Sequence, residues 1–325
     1  MKRRQFIAGL GSAAAWPVVA RAQQRATPVV GFLDTNEPTW LPAFRKGLSE
    51  TGFVEGRNVT IEYHLVPINA INRLDRLREL AADLVSRASV IVAPNSALAH
   101  LVKAATATVP IVFRTGFDPV QDGLVESFDR PGGQMTGITD ISVALGRKRL
   151  QLLHDMLPGA SRFGALVANP NRPFTEAMIK DVQAGAVIIR RPVEIVRAST
   201  NSEIDEAFAS LQQRRIDALL VDSSGLFVQR RVQVVTLAAH YRMPAIYPRR
   251  EFAEIGGLMS YGSELADQYR QIGIYTGRIL KGEKPADLPV MRPTKFDFVI
   301  NMQTAKTLGL TIPETLLATA DEVIQ

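Results

Sequence analysis

The chain has 325 residues, 46% hydrophobic and 22% charged, which is enough apolar material for one large core or two ordinary ones. It has no cysteine, which excludes disulfides, thiolate metal sites, a cysteine nucleophile and a lipid-anchored amino-terminal cysteine. The net charge of +6 owes four units to Lys2, Arg3, Arg4 and Arg21; beyond residue 22 there are 34 basic and 32 acidic residues, a balance that argues against a nucleic-acid partner.

Residues 1–22 read as an export signal. Lys2-Arg3-Arg4 opens it, Phe6–Ala20 is a short apolar run, and Ala20-Arg21-Ala22 is an A-x-A cleavage site ahead of Gln23. Arg3-Arg4-Gln5-Phe6-Ile7 is similar to the twin-arginine motif. The location implied is the periplasm.

The elements then follow in order. Pro28–Leu33 predicts a buried strand ending at Asp34-Thr35-Asn36. Leu41, Phe44 and Leu48 mark a helix stopping at Gly52. Val59, Ile61, Tyr63 and Leu65 alternate as a half-buried strand, and Leu74 to Ala88 has helical spacing. Val90–Ala93 is a strand ending at Pro94-Asn95-Ser96, Leu98 to Ala105 a helix, and Ile111–Phe113 a strand running into Thr115, Gly116 and Asp118. Gly132-Gly133 and Gly137 punctuate a less regular passage, read as a crossing to a second domain.

The pattern restarts after the helix Leu145–Leu157. Phe163–Ala168 ends at Asn169-Pro170-Asn171, where Asn171 and Pro173 suit a helix start. Val193–Val196 is a strand, and Thr200-Asn-Ser-Glu203 is a capping box. Ala218–Val221 ends at Asp222-Ser223-Ser224-Gly225, and Val228, Val232, Val235 and Ala239 predict one helix. Short strands at Ala245–Tyr247 and Leu258–Ser260 end at Tyr247-Pro248 and Tyr261-Gly262. A long helix, Glu264–Lys281, carries Gly273 and Gly277 for close approach by a neighbour. Pro285–Pro293 reads as an extended hinge strand, Phe296 to Ile300 as a final strand, and Leu310–Gln325 as a peripheral tail.

Such alternation predicts an α/β fold of two lobes, each a mainly parallel sheet with helices on both faces, with strand-end loops facing a shared cleft. The lobes are expected at residues 27–139 plus 262–287 and 140–261 plus 288–325. His64, His100, His154 and His240 lack metal-ligand spacing, and there is no P-loop, no G-x-S-x-G and no Rossmann fingerprint, so neither metal nor cofactor is expected. The remaining chemistry is a set of hydroxyls, amides and carboxylates at strand ends. Ser96, Thr115 or Thr35, beside unpaired backbone N–H groups, suit a carboxylate; Asp118 or Asp222 suits an ammonium; Tyr247 and Tyr261 suit a ring. Each also has an ordinary role as a cap, a solvated loop residue or a domain-edge aromatic. Arg114 and Arg249 are candidates for a charge at the cleft edge, with a solvated surface position as the ordinary role of both.

Long stretches of the chain resemble the substrate-binding proteins of ABC transporters in the tryptophan/tyrosine transport-like group. They are Val30-Gly-Phe-Leu33, Gly52-Phe-Val-Glu-Gly-Arg-Asn-Val-Thr-Ile-Glu-Tyr63, Asp118-Pro-Val120, Ala245-Ile-Tyr-Pro248, Gly256-Gly-Leu-Met-Ser-Tyr-Gly262 and Gly277-Arg-Ile-Leu-Lys-Gly-Glu-Lys-Pro-Ala-Asp-Leu-Pro289. The resemblance implies a type I periplasmic-binding fold with three crossovers, no catalysis, and a monomer that hands a small ligand to an ABC permease. It implies ligand contacts from Thr35, Asn36, Asn95, Ser96, Thr115, Asp118, Asn169, Asn171, Asp222, Tyr247 and Tyr261. The loops at Asn95-Ser96-Ala97 and Arg114-Thr-Gly-Phe117 depart from the family's smaller, Gly-rich patterns. An exported hydrolase or isomerase using Asp118 or Asp222 with Ser223, and a sensor lobe for a membrane receptor, are the alternative readings.

Overall fold

The computed structural model describes residues 27–34, 40–66, 72–168 and 173–325. The export signal, Thr35, Asn36, Asn169 and Asn171 lie outside them.

Two sheets organise the chain. The first takes β1 (Val29–Asp34), β2 (Thr60–Leu65), β3 (Val90–Ala93), β4 (Ile111–Thr115) and β5 (Met135–Thr139), in the order β2-β1-β3-β4-β5, all parallel. Alternate side chains of these strands feed two cores. Val30, Phe32, Val90, Val92 and Val112 face α1 (Leu41–Glu50). Leu33, Ile91, Ala93, Ile111 and Phe113 face α2 (Arg73–Arg87) and α3 (Ser96–Ala105). A parallel sheet buried on both faces needs such continuous apolar strands.

The second sheet has seven strands. In chain order the elements are α4 (Gly146–Met156), β6 (Phe163–Val167), α5 (Pro173–Ile189), β7 (Val193–Arg197), α6 (Asn201–Gln213) and β8 (Ala218–Val221). There follow α7 (Gly225–Gln229), α8 (Arg231–His240), β9 (Ala245–Tyr247), α9 (Arg250–Glu254), β10 (Met259–Ser263), α10 (Leu265–Leu280), β11 (Phe296–Asn301), α11 (Met302–Leu308), α12 (Glu314–Thr319) and β12 (Glu322–Ile324). The sheet order is β12-β11-β10-β9-β8-β6-β7, parallel except where β11 meets β10.

α10 leaves the second sheet and packs on the first. Leu265, Tyr269, Ile272 and Ile279 enter the same core as Phe44 and Leu48 of α1. The two helices touch backbone to backbone: a β-carbon on Gly273 would lie 2.1 Å from the Phe44 carbonyl oxygen. The chain then returns along β5. Thr136 Oγ1 donates to Leu288 O at 2.6 Å, and Met291 N donates to Gly137 O at 3.0 Å.

Several sequence expectations change. The Gly-punctuated passage contains β5, whose buried Thr136 and Thr139 mask its apolar pattern. The helix drawn through Val228 and Val232 breaks at Arg230 into α7 and α8; Val232 is 63% exposed while Val234 and Ala238 are buried. Residues 285–287 form a single 3₁₀ turn, so the hinge segment is extended only from Leu288. The tail is not peripheral: β12 pairs with β11, and Leu316 of α12 is 4% exposed in the core beside α4.

Candidate ligand-binding site

The carboxyl ends of β3, β4, β6, β8 and β9 carry the polar residues singled out above. On the first lobe, Asn95 is the N-cap of α3; its Oδ1 accepts from Leu98 N at 3.0 Å. The next residue, Ser96, places its hydroxyl 2.5 Å from that of Thr115. Thr115 is fully buried and also accepts from Phe117 N at 3.1 Å. The structure thus joins Ser96 and Thr115, on neighbouring strand ends, into one hydroxyl pair.

Asp118 is spent locally. Its Oδ1 accepts from Val120 N at 2.8 Å and Gln121 N at 3.2 Å, capping the turn that follows. Asp222 is fully buried, and each of its oxygens accepts a backbone N–H, from Ala168 at 2.9 Å and from Ser224 at 2.7 Å. Burial raises its pKa against the pull of those two donors. A carboxylate so enclosed clamps the ends of β6 and β8 together, which corrects its assignment to an ammonium.

Tyr247 is likewise a core residue, 1% exposed and stacked on Phe252 at 4.9 Å, so it presents no ring to a ligand. Burial pushes its phenol well up. Tyr261 is half-buried; its ring stacks on Phe296 at 5.8 Å and its carbonyl accepts from Arg149 Nε at 2.8 Å.

Two arginines at the junction of the lobes, Arg114 and the unremarked Arg149, are internal. Arg114, 9% exposed at the end of β4, pairs with Asp140 and donates to Gln268 Oε1 at 2.7 Å and to Pro94 O at 3.3 Å. Gln268 in turn donates to Ser263 Oγ at 2.6 Å. Asp140 also accepts from Ser142 N at 3.0 Å. This network links β4 to two chain crossings, at Asp140–Ser142 and Ser263. Arg149 is 1% exposed; burial lowers its pKa to about 10, while Asp140 and Asp222 hold the charge in place. The signal in the sequence is a charge set among apolar residues: Arg114 follows Pro-Ile-Val-Phe, and Arg149, the last of Arg147-Lys148-Arg149, stands one turn from Leu145 and beside Leu150, on the apolar face of its helix.

The first lobe's β4 loop reaches the second lobe. A β-carbon on Gly116 would lie 3.0 Å from Phe174 of α5, and Phe117 packs against the second lobe's core. Nearby, Trp40 and Leu265 on the first-lobe side and Arg249, Glu251 and Asp297 on the other help line a cavity of about 240 Å³. Among the described residues no cluster of three or more His, Asp or Glu side chains could hold a metal.

The sequence profile described as "ABC transporter substrate binding protein" matches residues 41–324. The chain belongs to this family. Its members are solute-binding proteins. A tyrosine-binding protein of Clostridioides difficile (strain R20291) is 28% identical over 273 residues, 82% of this chain and 75% of that one. Among solved structures, a conserved domain protein from Vibrio cholerae superposes with a TM-score of 0.82 at 25% identity, covering 91% of this chain and 99% of the other. The ABC domain of Streptococcus pneumonia in complex with L-Trp gives 0.78 at 24% identity, over 91% and 100%. A ligand-free, open substrate binding protein with adhesive properties from Clostridium difficile gives 0.68 at 24% identity, over 92% and 99%. Sugar-binding proteins and regulators of the LacI type share the architecture at lower scores, so the fold is the two-lobed α/β, type I periplasmic-binding one.

Proposed function

We propose that this substrate-binding protein is an exported receptor that captures a small amino acid, preferably aromatic, between its lobes and presents it to the permease of an ABC importer. The observation that carries the reading is the match at once to a tyrosine-binding protein and to a complex with L-Trp. The better fit to that complex than to the open relative of equal identity supports lobes drawn together, as do the contacts of Gly116 and Phe117 with the second lobe. A ligand that prefers the closed form drives closure by that difference in affinity.

The moving bodies are residues 27–139 plus 262–287 and residues 140–261 plus 288–325, with Leu288–Met291 running along β5. Within the cleft, the Ser96–Thr115 pair, with Asn95 beside Ser96, is the first-lobe contact. Export proceeds through the segment 1–22 to the periplasm, and the protein acts as a monomer.

The test is thermal unfolding of the chain from Gln23, refolded to remove bound ligand, against amino acids, small carboxylates and nucleosides. A ligand at about 100 times its dissociation constant stabilises by about 2.7 kcal/mol. A shift confined to L-tyrosine, L-tryptophan or their near relatives supports the reading. A shift produced by nucleosides alone refutes the amino-acid class.

A further inference from the structure

Among the described residues, Arg249 at the cleft has no bonded anion. Arg249 follows β9, at a strand's carboxyl end, where ligands of open α/β sheets bind. It is half-buried and lines the cavity of about 240 Å³ between Trp40 and Leu265 of one lobe and Asp297 of the other, a cavity that Arg250, Glu251, Glu254 and Glu264 also line. No hydrogen bond or ion pair joins its side chain to any other described residue. A guanidinium has five donors and no acceptor capacity, so a half-buried one without acceptors is poorly solvated.

The neighbouring charges do not supply the missing partner. Arg114 stands close enough to repel Arg249, and Asp140 and Glu251 attract it. Asp140, however, is already engaged by Arg114 and by Ser142 N, and Glu251, which lines the same cavity, attracts Arg249 without forming an ion pair with it. Arg250, next in the chain, differs sharply: its guanidinium pairs with Glu254 at 2.8 Å and with Glu322. Both adjacent arginines line the cavity, but Arg250 is consumed by its ion pairs while Arg249 is left without a bonded acceptor beside a second, saturated arginine.

We propose that Arg249 is the residue that selects the ligand's charge, binding a carboxylate of the captured molecule through a two-pronged guanidinium contact. The planar fork matches a carboxylate in a way that an ammonium does not. The proposal rests on the amino-acid reading above for the identity of the ligand, but not for its charge. It makes the carboxylate the required group: Asp222 is fully buried with both oxygens on backbone N–H groups, and Asp118 gives its Oδ1 to two of them.

The experiment is isothermal titration of the wild-type chain and of Arg249→Gln and Arg249→Lys with L-tryptophan, L-tyrosine, 3-phenylpropanoate, benzoate, malonate and tryptamine. Thermal midpoints equal to wild type confirm that the variants fold, since Arg249 has no bonded partner to lose. Every compound bound should carry a carboxylate, and tryptamine should give no heat. Arg249→Gln should weaken binding about 10- to 100-fold, the usual range for a charged hydrogen-bonded contact, and Arg249→Lys by less. Equal affinity of L-tryptophan or L-tyrosine for wild type and Arg249→Gln overturns the subsite and leaves the amino-acid reading intact. Binding of a simple carboxylate that depends on Arg249, with no binding of either amino acid, upholds the subsite and removes the amino-acid reading. No binding of any carboxylate at millimolar concentration overturns both.

Discussion

Gly47 of α1 faces Arg270 of α10 so closely that a β-carbon on Gly47 would lie 1.8 Å from the Arg270 carbonyl oxygen. Gly273 makes the reciprocal approach to Phe44. Two helices far apart in sequence are therefore fused along a stripe without side chains, and the first lobe depends on a helix supplied from beyond the second sheet. Gly47→Ala and Gly273→Ala should each destabilise the protein by about 3 kcal/mol or more, since the obstructing atoms are backbone and cannot step aside. Urea unfolding of the two variants checks this. Gly282→Ala, where a β-carbon meets nothing, should cost less and only through its positive φ.

The buried pair Arg114–Asp140 should behave as a unit. Arg114→Met leaves Asp140 at 5% exposure with its charge uncompensated, and Asp140→Asn does the same to Arg114. Each single change should cost about 3–5 kcal/mol. The double variant should cost distinctly less than the sum of the two, as a double-mutant cycle by thermal unfolding would measure.

Tyr247→Phe should leave ligand affinity unchanged, because the phenol belongs to the core stack with Phe252. Tyr247→Ala should destabilise by about 3–5 kcal/mol through the cavity it opens. A loss of affinity in a stably folded Tyr247→Phe protein would restore the ring to the ligand site.

The legible parts of this chain were the strands buried on both faces. Val90–Ala93, Ile111–Phe113, Phe163–Val167 and Ala218–Val221 are short apolar runs closed by polar turns, and all four are strands. α10 was also plain, with Gly273 and Gly277 correctly marking close approach; a β-carbon on Gly277 would lie 1.8 Å from Thr51 Oγ1. β5 was not legible, because Thr136 spends its hydroxyl on Leu288 O and so is buried without looking apolar. The site was harder still. Asp222 and Asp118 sit where a ligand group would, and only coordinates reveal that backbone N–H groups occupy them. Arg114 and Arg249 stand out in the sequence only as candidate charges at a cleft edge, because a sequence does not display that Arg114 is buried against Asp140 and Gln268.

Acid should loosen the second lobe at Asp217. Burial pulls its pKa up, but N–H groups of Arg162 and Ser161 at 2.9 and 2.7 Å and the Ser161 hydroxyl at 3.0 Å outweigh this and hold the carboxyl below its usual 3.8. A depressed pKa contributes stability that is present above the unfolded value and lost as pH falls through the folded one. Asp217→Asn should therefore cost about 1 kcal/mol at neutral pH, a figure kept small by the exposure of the site. The difference from wild type should shrink below about pH 4. Melting curves from pH 7 to pH 2 provide the check.

The placement of α10 also sets a schedule for synthesis. β1 to β5 leave the ribosome well before the helix that covers Phe44, Phe32 and Val92, with the stretch from 140 to 264 in between. At roughly 5–20 residues per second that gap is about 6–25 s. During it the first sheet stands with one face uncovered. The second sheet waits longer, until β12 emerges to pair with β11. Neither half can close on its own early strands, so the nascent chain carries two open sheets at once for as long as that interval lasts.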